Sequence, residues 1–179
     1  EETFIGDFIS SKSNIFESMQ SNYGLAKIAS RDMCSITAYL EKIDYVHTRL
    51  SAPLSPSLDQ RSYIANTLKK ILNNEEYDPP KNKKYFDIIS INDLTLAFEL
   101  IGKKGRNKSN YFIGTGNPIK LLDFFKIFKE KLKDNKYEIT TNLITNDMKN
   151  LFNINDIYND TGFKPQIDLF DIVNQGSTN

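Results

Sequence analysis

Apolar residues in the first part of the chain recur at intervals of three and four, the spacing of one helical face. From Asn22 to about Leu40 the series Leu25, Ile28, Ala29, Met33, Ile36 and Leu40 predicts a helix. Tyr45–Leu50 then alternates like a half-buried strand and runs into Ser51-Ala-Pro-Leu-Ser-Pro56, which its prolines mark as a loop. A second helix is expected after Ser62, a candidate N-cap, with Ile64, Leu68, Ile71 and Leu72 on one face. Asp78-Pro-Pro-Lys81 breaks the chain, and Tyr85–Ile89 reads as a short strand. Ser90 with Asp93 imitates a capping box ahead of a helix carrying Leu94, Ala97, Phe98 and Ile101. After a polar loop over Lys103–Asn110, Tyr111–Gly114 is a short buried strand. Asn117 followed by Pro118 predicts a helix start, continuing through Leu121, Leu122, Phe125, Phe128 and Leu132. Tyr137–Ile144 reads as a strand, Ile154–Thr161 as a short helix stopped by Gly162, and Leu169–Val173 as another. Phe4, Ile5, Phe8 and Ile9 fit a helical face or a broken strand equally well. Alternating strands and helices make this an α/β chain, and no internal repeat is visible.

Composition narrows the range of functions. With 179 residues, the chain fits one domain, or one large domain with a small subdomain. A hydrophobic content of 39% with twelve Phe is enough for a packed core. The 23 basic and 23 acidic residues cancel, which weighs against a general nucleic-acid or membrane-surface binder. The densest basic run, Lys81, Lys83 and Lys84, reads as a solvated loop. Cys34 is the only cysteine, so no internal disulfide can form, as suits a reducing cytoplasm. His47 is the only histidine and lies far from Cys34, which leaves no dedicated zinc site. No apolar run approaches the roughly 18 residues of a bilayer span. The chain opens on Glu1 rather than Met, and a natural start upstream is therefore expected.

Candidate chemistry sits in Ser21-Asn-Tyr23-Gly-Leu-Ala-Lys27. Tyr23 and Lys27 are four apart on the first predicted helix, so both rise from one face. A free phenol releases its proton near pH 10, and a neighbouring ammonium favours the phenolate. Such a pair is suited to proton transfer. Chance alone also places Tyr and Lys four apart in many helices.

The surrounding residues resemble those of the extended short-chain dehydrogenases, the nucleotide-sugar epimerases and dehydratases. The family's Tyr-Gly-x-Ser/Ala-Lys, between acidic residues, is matched by Glu17, then Tyr23-Gly24-Leu-Ala-Lys27, then Asp32. Its strand ending in arginine resembles Tyr45-Val-His-Thr-Arg49, and its Asp-rich strand-to-helix run resembles Asp87-Ile-Ile-Ser-Ile-Asn-Asp93-Leu94. Phe112-Ile-Gly114-Thr-Gly116-Asn-Pro118-Ile119 matches a Gly-x-Gly-x-Pro turn, and Thr161-Gly162-Phe163-Lys-Pro165 a closing Leu-Gly-Phe-x-Pro. Five landmarks in order, over roughly residues 17 to 170, carry the resemblance. It implies the C-terminal part of a Rossmann-like parallel sheet plus a small substrate-binding lobe. Residues 1–50 would end the Rossmann-like domain, and 51–179 would form the lobe, with 85–116 returning to complete the sheet. The cofactor would be NAD or NADP and the substrate a nucleotide sugar. Tyr23 would be the acid/base, with Lys27 beside it also bonding the nicotinamide ribose. Members of the family often dimerise through this helix, so a homodimer or other self-association is expected, with no nucleic-acid or membrane partner.

Several positions depart from the family pattern. The family's glycine-rich cofactor turn lies roughly a hundred residues before the Tyr, whereas 22 residues precede Tyr23. Gly114-Thr-Gly116 is no substitute, lying late in the chain and followed by Pro118. This chain is accordingly expected to be a fragment, inactive alone. The family's catalytic Ser/Thr falls upstream of Glu1, and Ser10 and Ser11 stand near the spacing seen in shorter relatives. Ala52 replaces a substrate-contacting Asn, and Phe86 replaces an Arg that binds diphosphate. Arg61, Lys83 or Lys84 could supply the missing cation. Two other readings stay open: a non-catalytic relative serving as a binding or regulatory module, and an interaction domain with a coincidental Tyr/Lys pair.

Overall fold

The structure, a computed structural model, describes residues 19–81, 85–132, 150–168 and 170–172, and the side chains from residue 22 onward. Residues 1–18 with Ser10 and Ser11, Lys83 and Lys84, and the expected strand Tyr137–Ile144 lie outside the described residues. Of the expected helix Leu169–Val173, the described part, 170–172, is a turn. The chain divides into two compact units, Glu1–His47 with Asn107–Asn110, and Thr48–Arg106 with Tyr111–Asn179.

The first unit is dominated by helix α1, Met19–Glu41. At about 1.5 Å per residue it is roughly 35 Å long. The apolar periodicity that predicts it is present, yet Met33, Ile36, Tyr39 and Leu40 are each more than 60% exposed. The helix closes where Lys42 turns left-handed (φ 56°) and the Ile43 N–H bonds Ala38 O at 2.9 Å. Beyond it, the Tyr45 N–H donates to Asn107 Oδ1 at 3.0 Å and the Lys108 N–H to Tyr45 O at 2.7 Å, which ties the two segments of this unit.

Strand β1 is His47–Leu50 and β2 is Ala52–Leu54; β3 is Tyr85–Phe86, β4 Ile88–Ser90, β5 Asn110–Ile113 and β6 Ile119–Lys120. Pairing is β1 with β5, β2 with β4, and β3 with β6. The β2–β4 pair is parallel, Ala52 opposite Ile88, and β3–β6 is antiparallel. Interleaved helices are α2 (Tyr63–Leu72), α3 (Ile91–Lys104), α4 (Leu121–Lys131) and α5 (Asn155–Thr161). The α/β class expected from the sequence is the one observed.

Three more expected elements differ. Pro53 belongs to a strand rather than a loop. Alternate residues of a strand bond to the same side, and the Ala52 N–H donates toward β4, to Asp87 O at 2.9 Å. The missing Pro53 donor therefore falls on the side away from β4, where it costs no ladder bond with that strand. The helix expected from Asn117 begins instead at Leu121, because Ile119 and Lys120 pair with Phe86 and Tyr85. The strand expected at Tyr85–Ile89 is split at Asp87 into β3 and β4.

Other local signals act as written. Ser62 caps α2, its Oγ accepting from the Ala65 N–H at 3.1 Å. Gly162 stops α5 in the left-handed region (φ 78°), where glycine carries no Cβ penalty. The core of the second unit joins the buried face of α2 (Ile64, Leu68, Ile71) to that of α4 (Leu121, Phe124, Phe125, Phe128), with Leu54, Ile88, Phe170 and Ile172. No helix among the described residues is long and apolar enough to cross a membrane.

Candidate functional site

Tyr23 and Lys27 stand one turn apart near the start of α1. The i, i+4 spacing brings them together: the Lys27 ammonium lies over the Tyr23 ring, 5.4 Å from its centroid. Tyr23 is 58% exposed and Lys27 is exposed as well, so neither group is sealed in a core. The contact is one of a cation over the face of an aromatic ring, and both groups stand open to solvent.

The other candidate site residues belong to the second unit or lie outside the described residues. Arg61 is exposed, directly before the α2 cap. The loop carrying it is pinned by Leu58, buried in a left-handed conformation (φ 56°) with its N–H on Ser55 O at 3.0 Å. A bulky residue tolerates that conformation only where packing holds it. Lys84, the second candidate cation, lies outside the described residues. Ala52 and Phe86, the two departures from the family pattern, both pack against the hydrophobic core. Lys120, not singled out by sequence reasoning, faces Tyr85 across β3–β6 with its ammonium 5.3 Å from the ring centroid. A lone Lys at a helix start gave no signal of that pairing.

Asp87 and Gly114-Thr-Gly116 belong to separate motifs along the sequence, and the fold joins them. Asp87 is 2% exposed, and its Oδ1 accepts from both the N–H and the hydroxyl of Thr115, each at 2.9 Å. Its Oδ2 accepts from the Gly116 N–H at 2.7 Å. A Cβ on Gly114 would stand 2.5 Å from the Phe112 ring and 2.9 Å from Asp87 Oδ2, so glycine is required for this approach. Asp93 does not complete a capping box. Its N–H donates to Ser90 Oγ at 3.0 Å, while its carboxylate accepts from the N–H groups of Gln166 and Ile167, both at 3.0 Å. It thereby fastens the C-terminal segment to the start of α3.

Burial pushes the Asp87 carboxyl above its ordinary value, against hydrogen bonds from Thr115, Gly116 and Asn117 that lower it. An acid whose value rises on folding binds its proton more tightly in the folded state. Its contribution to stability is then fullest below about pH 4 and is lost as pH climbs through the raised value. Urea unfolding of wild type and Asp87→Asn at about pH 4 and about pH 7 is expected to give a smaller stability gap at the higher pH. A gap that widens with pH would contradict the assignment.

No protein-family model matches this chain, and no curated protein matches it by sequence. Solved structures do match. UDP-glucose 4-epimerase of Thermotoga maritima, solved with UDP-glucose, shares 19% identity at TM-score 0.69, over 87% of this chain and 52% of that one. WbmF of Bordetella bronchiseptica, solved with NAD+ and UDP, shares 15% at TM-score 0.68, over 92% and 53%. DesIV of Streptomyces venezuelae, a dTDP-glucose 4,6-dehydratase solved with NAD and TYD, shares 16% at TM-score 0.65, over 86% and 49%. The chain thus spans about half the length of the proteins it matches. Over that half, it has the fold of the extended short-chain dehydrogenases.

Proposed function

We propose that this chain is the C-terminal portion of an NAD(P)-dependent nucleotide-sugar epimerase, dehydratase or reductase, with Tyr23 as its acid/base. The observation that carries this reading is the Lys27 ammonium held over the exposed Tyr23 ring, in a chain whose fold matches enzymes of that kind. NAD or NADP, when bound, supplies the hydride chemistry. Lys27 would hold the nicotinamide ribose by hydrogen bonds. As a sugar C–OH becomes a carbonyl, its hydroxyl proton would pass to Tyr23 Oη in the phenolate form, and in the reverse direction the Tyr23 phenol would return it. Arg61 and Lys84 are assigned to the substrate diphosphate, because two anionic phosphates need cations and position 86 holds a partly buried phenylalanine packed against the core. Residues 1–50 belong to the end of the Rossmann-like domain in this reading, and 51–179 to the substrate lobe with 85–116 completing the sheet.

The 179 residues contain one Gly-x-Gly, at Gly114–Gly116, and its donors are already taken by Asp87. This chain alone is therefore expected to bind NAD(P) weakly and to turn over nothing; micromolar binding by calorimetry would overturn that. The reading as a whole is tested by assaying the intact protein with NAD(P) and a panel of UDP- and dTDP-sugars. Absence of turnover across the panel by folded protein would remove it. A second reading, a non-catalytic relative acting as a binding module, is favoured by one observation: Phe86, partly buried, packs against the core where the family places a diphosphate-binding arginine. Turnover in the same assay would exclude that reading.

A cytoplasmic, self-associating protein fits the single exposed thiol, Cys34, and the exposed apolar residues of α1. Light scattering is expected to give a mass above one chain, and a strictly monomeric mass would count against self-association.

A further inference from the structure

We propose that the Gly114–Asn117 turn is a carboxylate-binding nest whose ligand, Asp87, is supplied by the chain itself. Successive N–H groups in a turn form a concave donor site that in other proteins takes phosphate. Here two successive N–H groups, of Thr115 and Gly116, and the Thr115 hydroxyl converge on both oxygens of one side chain. A carboxylate matches that set, because both its oxygens accept; an amide presents a donor on one side. Gly116 is left-handed (φ 75°), the conformation that lets neighbouring N–H groups point the same way. The fit is close enough that a Cβ on Gly114 would meet both the Phe112 ring and Asp87 Oδ2. A phosphate, larger and tetrahedral, has no room there while Asp87 is present.

The location gives the contact its purpose. Asp87 separates β3 from β4, and its carbonyl accepts from the Ala52 N–H of β2 at 2.9 Å. The turn it holds leads from β5 into β6, and β6 pairs with β3. One side chain thus stands in for the anion of a phosphate turn and fixes where β6 returns.

The nest predicts chemical rescue. In Asp87→Ala the donors remain and the carboxylate is gone, leaving space for a one-carbon acid. The variant is expected to lose on the order of 10 °C in Tm. Sodium formate is expected to restore part of that loss in a saturable way, while sodium chloride at equal ionic strength and sodium phosphate do not. Wild type should show no formate-specific shift. An equal formate shift in wild type, or none in a folded Asp87→Ala, overturns the proposal. Asp87→Asn keeps the shape and provides a second readout if the alanine variant does not fold. Amide exchange at Thr115 and Gly116 is expected to quicken by about tenfold or more in that variant, and unchanged exchange also overturns the proposal.

Discussion

Replacing Tyr23 by Phe in the intact protein is expected to lower kcat for nucleotide-sugar turnover by about 10²–10⁴-fold, the usual contribution of a positioned acid/base. The substitution removes one hydroxyl and leaves the ring. Because the Tyr23 side chain is 58% exposed, the loss is not expected to disturb packing. Binding of the nucleotide sugar should change little, so the deficit appears in kcat rather than in KM. Lys27→Met keeps the apolar stem and removes the ammonium that lies over the ring. It should lower kcat and also weaken cofactor binding, which Tyr23→Phe should not. Wild-type turnover in Tyr23→Phe would remove the assigned mechanism and leave the fold assignment standing.

The largest expected effect on stability is at Phe124. Its ring is fully buried and contacts three others: Phe125 at 5.5 Å between centroids, Phe128 at 6.2 Å and Phe170 at 5.6 Å. Phe125 in turn meets Tyr63 of α2 and Tyr77 edge-on, each at 5.9 Å. Phe124→Ala removes the ring at the junction of α4 with the C-terminal segment, and close-packed neighbours refill such a space only in part. The expected cost is about 3–5 kcal/mol in denaturant unfolding, with the loss of aromatic pairing added to that of burial. Phe98→Ala on α3, where the side chain is 45% exposed, is the control and should cost a small fraction of this. Equal losses at the two positions would show that the aromatic cluster is not the centre of the core.

Much of the secondary structure was legible because its causes are local. The α1 periodicity, the Ser62 cap and the Gly162 stop each act within a few residues, and each is found where the sequence puts it. The Asn117-Pro118 signal failed for the opposite reason. Its local preference for a helix start is worth about a kilocalorie, and the pairing of Ile119 and Lys120 with a strand more than thirty positions away outweighs it. Pro53 misled in the same way, since a missing N–H matters only on the side where a neighbouring strand lies.

For the candidate site the division is similar. Tyr23 and Lys27 meet because a helix has 3.6 residues per turn, so their proximity could be read from spacing alone. The union of Asp87 with Thr115 and Gly116 could not, because those residues are 28 and 29 positions apart and only the return of the chain after β5 joins them. Asp93 gave a capping signal and turned out to hold Gln166 and Ile167, more than seventy residues away. Whatever depends on neighbours along the chain was readable from the residues alone: helix faces, caps, stops and the proximity of Tyr23 to Lys27. Which buried carboxylate holds which turn was set when the chain folded back on itself. A buried charge must find donors wherever the fold delivers them, and separation along the chain carries no record of that meeting.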